Sequence, residues 1–414
     1  MNTYTAFEYL MIATANAFGE DKSLFEDRIE WVKSNGKILT KLADKADDKA
    51  MFIRCVLEIQ RVLKGQPTNL PIGLDATASG LQMLAIMSGC KITANNVGLV
   101  DPNRRCDAYT TCVHVMNEYL NPNGKFPERA IGFNPDGLTR DDVKGAFMPH
   151  FYYSRQEPLN IFGKGTAEHL AFMKSTDVIA PGANMLMEDI HGAMLECDKS
   201  VTTEYKWTLP DRHTAFTRVF TTDDYKFELE ELKNENGNNS TFTHRMQRNV
   251  PNVKDVSLVA NVTHSVDGFV VREMQGRMNY DVGNLLKVKE IAQGCRITDR
   301  TKMISIYEVD HILASKTMDE YDDNTLGLVA WKIEQVLENP RAPMYSVHDE
   351  FKTLAPYCNQ MRQYYINICA EMSESTMMQD ILRQLYRDPL LNYNKCGNGD
   401  ELAQLIRGSN YAIC

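Results

Sequence analysis

The sequence predicts an α+β fold, predominantly helical, with a small antiparallel sheet. Three observations lead there. Apolar residues recur at helical spacing through residues 5 to 65, where Phe7, Leu10 and Met11 repeat and Ile29, Trp31 and Val32 repeat again. A short apolar strand through Ile72 and Leu74 stops on Asp75. Two further short strands, Met344 to Val347 and Phe351 to Leu354, flank His348 and Asp349 and read as a tight hairpin. Helices enclosing a few antiparallel strands satisfy all three.

A chain of 414 residues, 43% hydrophobic and 24% charged, is long enough for a large core and more than one lobe. No stretch reaches the roughly 18 uncharged apolar residues of a membrane span, and the first twenty residues lack a basic leader, so a soluble cytoplasmic protein is expected. Ten cysteines run from Cys55 to Cys414 without a CxxC pair, which reads as reduced, mostly buried thiols. A net charge of -10 excludes a protein that coats itself in nucleic acid by bulk attraction. Any such site must be a local cleft. The basic clusters at Arg104 and Arg105, at Arg245 and Arg248, and across Lys287, Lys289, Arg296, Arg300 and Lys302 each read singly as a solvated face.

In chain order, residues 50 to 63 form an amphipathic helix expected to pack behind the strand bearing Asp75. After Asp75 the small residues Ala76, Thr77, Ala78, Ser79 and Gly80 leave room for a large ligand against the backbone, and an apolar helix follows from Leu81. Alone, the segment reads more simply as a strand-to-helix connection with a solvated or capping Asp. Residues 107 to 120 make another amphipathic helix, and NPNGKFP then breaks the chain at a plausible lobe boundary.

The stretch TRDDVKGAFMPHFYYS, residues 139 to 154, opens with Thr139 and Asp142 spaced as a capping box. Arg140, Lys144, Met148 and Tyr152 stand four apart on one helical stripe: two cations, a thioether and an aromatic. That order suits a triphosphate below a sugar and base, although a solvated surface helix fits the same spacing. Pro149 removes a hydrogen bond and crowds the carbonyl of Gly145, so a kink is expected.

Residues 163 to 166, Gly-Lys-Gly-Thr, miss the first glycine and the hydroxyl position of a phosphate loop and are discounted. From Phe227 to Arg248 an Asn/Gly turn joins an acidic to a basic run, as in an exposed hairpin or long loop able to touch nucleic acid, and a disordered surface insertion reads the same way. His264 and Asp267 stand at the expected start of an apolar helix, where capping is the ordinary role. Asp349 is a second carboxylate borne by strands. Two carboxylates brought together repel unless cations intervene, and Mg²⁺ prefers such oxygen donors completed by substrate phosphates.

Taken together, DATASGLQ, RDDVKGAFMPHFYY, THSVDG and VHDEF resemble, in order and spacing, the ordered motifs of the single-subunit RNA polymerases of phages and mitochondria. FEDRIEWV and the terminal ELAQLIRGSNYAIC extend the resemblance over nearly the whole chain. Within that family the sequence is most similar to the large chain of the two-subunit enzymes of N-four-like phages.

The resemblance implies a right-hand polymerase. Residues 1–95 would form the first part of the palm, 96–263 the fingers with a template- or promoter-contacting loop, and 264–414 the rest of the palm with a C-terminal foot. Asp75 and Asp349 would bind two Mg²⁺ ions. Arg140 and Lys144 would hold the triphosphate, with Lys144 also a proton donor to pyrophosphate. Tyr152, with His264 and Gly80 nearby, would select ribose, and His348 would brace the RNA 3' end. DNA template, RNA product and ribonucleoside triphosphates are the implied partners. Promoter domain and thumb have no counterpart in these motifs, so a second subunit and a DNA-recruitment factor are expected, in the cytoplasm of an infected bacterial host. Tyr153 departs from the family, standing where it has glycine. The alternatives are a DNA polymerase sharing the right-hand fold, which carries a bulky Glu where Ser79 and Gly80 stand here, and an inactive nucleic-acid-binding scaffold.

Overall fold

Helices dominate the computed structural model, which describes residues 1–121, 137–196, 202–233, 237–251, 257–315 and 320–414. Most of the expected break after Leu120, and with it the lobe boundary, lies outside these residues. Seven strands occur among them: β1 (Pro71–Asp75), β2 (Glu204–Thr208), β3 (Thr214–Arg218), β4 (Thr221–Lys233), β5 (Asn239–Arg248), β6 (Met344–Val347) and β7 (Glu350–Leu354). They make one three-stranded antiparallel sheet of order β1-β7-β6 and two hairpins, β2-β3 and β4-β5. The expected α+β class, mostly helical with small antiparallel sheets, is what the chain forms.

In the three-stranded sheet, β1 pairs with β7 so that Leu74 faces Phe351 and Asp75 faces Glu350. Ile72, Leu74, Phe351 and Thr353 are buried, the period-two alternation of a sheet covered on one face. Helix Ala6–Phe18 packs on β1 and helix Cys358–Glu374 on β7. The helix expected behind β1, Lys49–Leu63, instead packs chiefly on Ala6–Phe18. Its stripe of Phe52, Cys55, Val56 and Ile59 meets that helix, and the interposed helix is what reaches the strand. The chain terminus closes the other side of Asp75: the Cys414 N–H donates to the Asp75 carbonyl at 2.9 Å, and Ile413 bridges Ala76.

Three helices meet across a buried ionic quartet. Arg277 donates to both oxygens of Glu371, at 2.9 and 2.7 Å, and its Nε to Glu273 at 3.0 Å. Lys332 completes the group through Glu371, and Ser305 donates to Glu273 at 2.6 Å. Each charge has an opposite partner, the condition under which charges survive burial.

Two local expectations fail. Helix Ser257–Met278 begins well before His264 and Asp267, so both lie inside it rather than at its cap. The helix persists through weak formers because Val259, Val262, Val266 and Phe269 are buried along one face. Helix Arg140–Phe151 runs through Pro149 without interruption. Proline falls in its last turn, where little helix remains to be disrupted. The capping box of Thr139 and Asp142 is present. β4 and β5 form the exposed hairpin expected around residues 227 to 248, although part of its tip lies outside the described residues.

Candidate active site

The C-terminal end of β1, the β6-β7 turn, helix Arg140–Phe151 and helix Ser257–Met278 border one open cleft of about 440 Å³. Its walls carry Asp75, Arg140, Lys144, Tyr152, His264, His348 and Asp349, so side chains spread over most of the sequence are brought together. Gly80 alone among the expected site residues does not line it. It lies behind Tyr152, where a Cβ would sit 2.7 Å from the Tyr152 hydroxyl.

Asp75 stands where β1 leaves the core. The Ala76 N–H donates to the Asp349 carbonyl at 3.2 Å, tying the strand end to the β6-β7 turn. Enclosure by the surrounding protein, then the charges of Asp349 and Glu350, push the Asp75 carboxyl up to about 6. Burial and the neighbouring carboxylates thus outweigh the pull of Arg105 and of the Ala76 N–H in the opposite sense. Two turns that shape it hold non-glycine residues in the left-handed region: Ala78, before helix Ser79–Ser88, and His348, each at φ 55°. Such conformations cost about 1 kcal/mol or more each and persist where surrounding structure fixes them.

On the opposite wall the four-residue stripe faces the cleft as its spacing predicts: Arg140, Lys144, Met148 and Tyr152 all line it. Asp107, the N-cap of helix Ala108–Leu120, accepts from Arg140 Nε at 2.8 Å, and the guanidinium lies over the Tyr109 ring at 4.8 Å. Burial works against ionisation of Asp107, but Arg140 outweighs it and holds the carboxyl low. The Tyr152 ring stacks on His264, and burial raises its phenol to about 12. Burial also lowers the His264 imidazole. Trp207 on β2 steadies this helix by donating to Ser265 at 2.8 Å.

The sequence reading misses several cleft residues. Asp267 faces inward and accepts from Ser79 Oγ at 3.3 Å; burial, then the charge of Asp349, push it up to about 6. Lys22, Arg105, Asp107 and Tyr109 also line the cleft. Lys22 sits just ahead of the FEDRIEWV string, and Arg105 belongs to a cluster read as solvated; neither spacing signals the cleft. Tyr153, the departure from the family pattern, has φ 66°. It is held there by its hydroxyl donating to Glu188 at 2.7 Å and by Arg155 over its ring at 4.1 Å.

Residues 2–157 match the family described as DNA-dependent RNA polymerase. The match takes in Asp75 and the whole Arg140–Tyr152 stripe and stops before His264 and Asp349. A probable DNA-directed RNA polymerase of Neurospora crassa is 36% identical over 126 residues, which are 27% of this chain and 14% of that protein. The mitochondrial DNA-directed RNA polymerase of Schizosaccharomyces pombe is 26% identical over 159 residues, 35% of this chain and 14% of that protein. A probable DNA-directed RNA polymerase of Podospora anserina is 35% identical over 98 residues, 20% of this chain and 10% of that protein. The matched segments therefore span a small part of these relatives. Family and relatives are DNA-directed RNA polymerases, which are nucleotidyltransferases. Among the described residues no helix is long and apolar enough to cross a membrane.

Proposed function

We propose that this chain is the catalytic subunit of a DNA-directed RNA polymerase, extending the 3' end of RNA on a DNA template with ribonucleoside triphosphates and releasing pyrophosphate. One observation carries the reading: Asp75 and Asp349, from neighbouring strand ends, share a cleft with the cationic and aromatic stripe of helix Arg140–Phe151. The match over residues 2–157 supports it for the half of the site it spans.

In this reading Asp75 and Asp349 would hold two Mg²⁺ ions. The donors fit, because Mg²⁺ takes one or two carboxylates and completes its shell with water and phosphate, and the raised Asp75 carboxyl marks charge that a divalent ion relieves. Among the described residues no group of three or more His, Cys, Asp and Glu side chains is placed to hold a metal ion by itself. When bound, the ions supply Lewis-acid activation of the RNA 3' hydroxyl and charge stabilisation for the departing pyrophosphate.

The protein does the rest. Arg140, aimed by Asp107, and Lys144 neutralise the triphosphate, with Lys22 and Arg105 on the same cleft. Lys144 delivers a proton to the leaving pyrophosphate. Tyr152, set by its stack on His264 and by Gly80 behind it, pairs the ribose hydroxyl and disfavours a sugar that leaves the phenol unsatisfied. His348 braces the 3' end of the RNA.

The architecture proposed with this chemistry is a palm from residues 1–95 and 264–414 and fingers from 96–263, with the β4-β5 hairpin reaching toward template or promoter. As the large chain of a two-subunit enzyme of the N-four-like phage type, it works in the cytoplasm of an infected bacterium. A second subunit brings thumb and N-terminal functions, and a recruitment factor brings DNA. The net charge of -10 supports this, since it leaves duplex capture to partners.

Primer extension by the complete complex on a DNA template, with ribonucleotides and Mg²⁺, tests the reading. Asp75→Asn or Asp349→Asn should slow extension by ~10³-fold or more, about 4 kcal/mol of transition-state stabilisation. Near-normal extension by both variants, or equal use of deoxynucleotides by the unmodified enzyme, would overturn it.

A further inference from the structure

Away from the cleft, two distant segments lie unusually close. Helix Ser79–Ser88 ends in Gly89 at φ 70°, and residues 395 to 397 run directly against that end. A Cβ on Gly397 would sit 2.3 Å from the Gly89 carbonyl oxygen, and one on Gly89 would sit 3.1 Å from the Gly397 carbonyl oxygen. The contact leaves no room for a side chain at Gly397, and the left-handed φ of Gly89 favours glycine there. The Cys396 N–H donates to the Ser88 carbonyl at 2.9 Å and its thiol to the same oxygen at 3.2 Å. That register brings Cys396 beside Cys90, near enough that each thiol bears on the other's ionisation.

We propose that Cys90 and Cys396 are a modification site, a dithiol that closes reversibly to a disulfide by exchange with a small oxidised disulfide. Cys396 is exposed and meets the reagent, whereas Cys90 is buried and accepts from the Thr93 N–H at 3.5 Å. Their mutual interaction pulls the Cys90 thiol down and, with burial, pushes that of Cys396 up. Access and neighbours that favour the thiolate distinguish reactive thiols from inert buried ones.

The chemistry balances. The Cys396 thiol gives its proton to solvent and its sulfur attacks the reagent RSSR; one S–S bond breaks, a Cys396–SR bond forms and RS⁻ leaves. Cys90 then loses its proton, attacks the Cys396 sulfur and expels a second RS⁻. Two protein sulfurs are oxidised by two electrons, and the reagent, taking up the two protons released, is reduced to two thiols.

The staple would join the end of helix Ser79–Ser88 to the segment leading into helix Gly399–Gly408 and thence to the terminus paired beside Asp75. Its closure therefore restrains the terminal segment that flanks a cleft residue, without touching the cleft.

Incubating the full chain with oxidised glutathione, followed by intact mass and non-reducing peptide mapping, tests this. The expected product has lost two hydrogens, carries a Cys90–Cys396 cross-linked peptide, reverts with dithiothreitol and unfolds at higher temperature. Cys90→Ser should stop at one retained glutathione on Cys396, and Cys396→Ser should leave Cys90 unmodified. A native chain that keeps glutathione on Cys396 without closing, or that does not react at Cys396 while the half-exposed Cys295 does, would overturn the proposal.

Discussion

The Tyr152 ring lies face to face with the His264 imidazole, centroids 4.5 Å apart and planes 18° from parallel. The pair joins helix Arg140–Phe151 to helix Ser257–Met278 across the mouth of the cleft. Removing only the hydroxyl keeps the stack and the helix contact. Tyr152→Phe is therefore expected to fold normally and extend RNA at a similar rate, while the preference for ribonucleotides over deoxynucleotides falls by ~10-fold or more. Ratios of kcat/KM for paired nucleotides check this, and an unchanged ratio would count against the role.

Gly80 tests the same pair from behind. A methyl there would meet the Tyr152 hydroxyl at 2.7 Å and its ring at 3.1 Å, although alanine is the better helix former by about 1 kcal/mol. Gly80→Ala should leave the thermal midpoint nearly unchanged or slightly raised and yet raise KM for ribonucleotides by ~10-fold as Tyr152 is displaced. Equal KM in variant and native enzyme would show that the contact has no consequence.

The buried quartet should govern stability rather than chemistry. Burial opposes ionisation of Glu371, but Arg277 and Lys332 hold its carboxyl down at about 2. Glu371→Gln leaves two cations facing Glu273 alone, and breaking such a buried group typically costs about 3–5 kcal/mol. Urea unfolding of the variant should show that loss; a change below about 1 kcal/mol would mean the helices hold together without the charges.

His150 sets part of the acid limit. It is buried against Phe151 and Phe172 with Nε2 3.1 Å from Asn184 Oδ1, and burial lowers it to about 4 from 6.5. Between those values the unfolded chain binds more protons than the folded one, so His150 subtracts stability as pH falls from about 6.5 to 4, by up to about 3 kcal/mol. Asp75 and Asp267, both raised, act in the opposite sense, so the informative quantity is a difference between variants. His150→Gln should lose less stability than the native chain between pH 7 and 5 in urea titrations. Parallel pH dependences would contradict this.

What could be read from the sequence was local. The β1 strand ending on Asp75, the β6-β7 hairpin presenting His348 and Asp349, and the Arg140–Tyr152 stripe each follow from spacing within fewer than twenty residues. Lys22, Arg105 and Tyr109 were not legible as cleft residues because they reach it from turns and a helix start positioned only by packing. Asp267 was misread because Asn261, Val262, Thr263 and His264 are poor helix formers, and only burial of one face carries the helix through them. The pairing of the chain terminus with Asp75 is equally non-local, and no periodicity announces it.

The central claim is that Asp75 and Asp349 jointly hold divalent ions beside the triphosphate. Crystals of the enzyme soaked with Mn²⁺ and a ribonucleoside triphosphate would report it through anomalous scattering. The account expects two Mn²⁺ peaks within coordination distance of these carboxylates, both lost in Asp75→Asn with Asp349→Asn. Mn²⁺ bound elsewhere in the molecule, with either aspartate turned away from the ions, would contradict it.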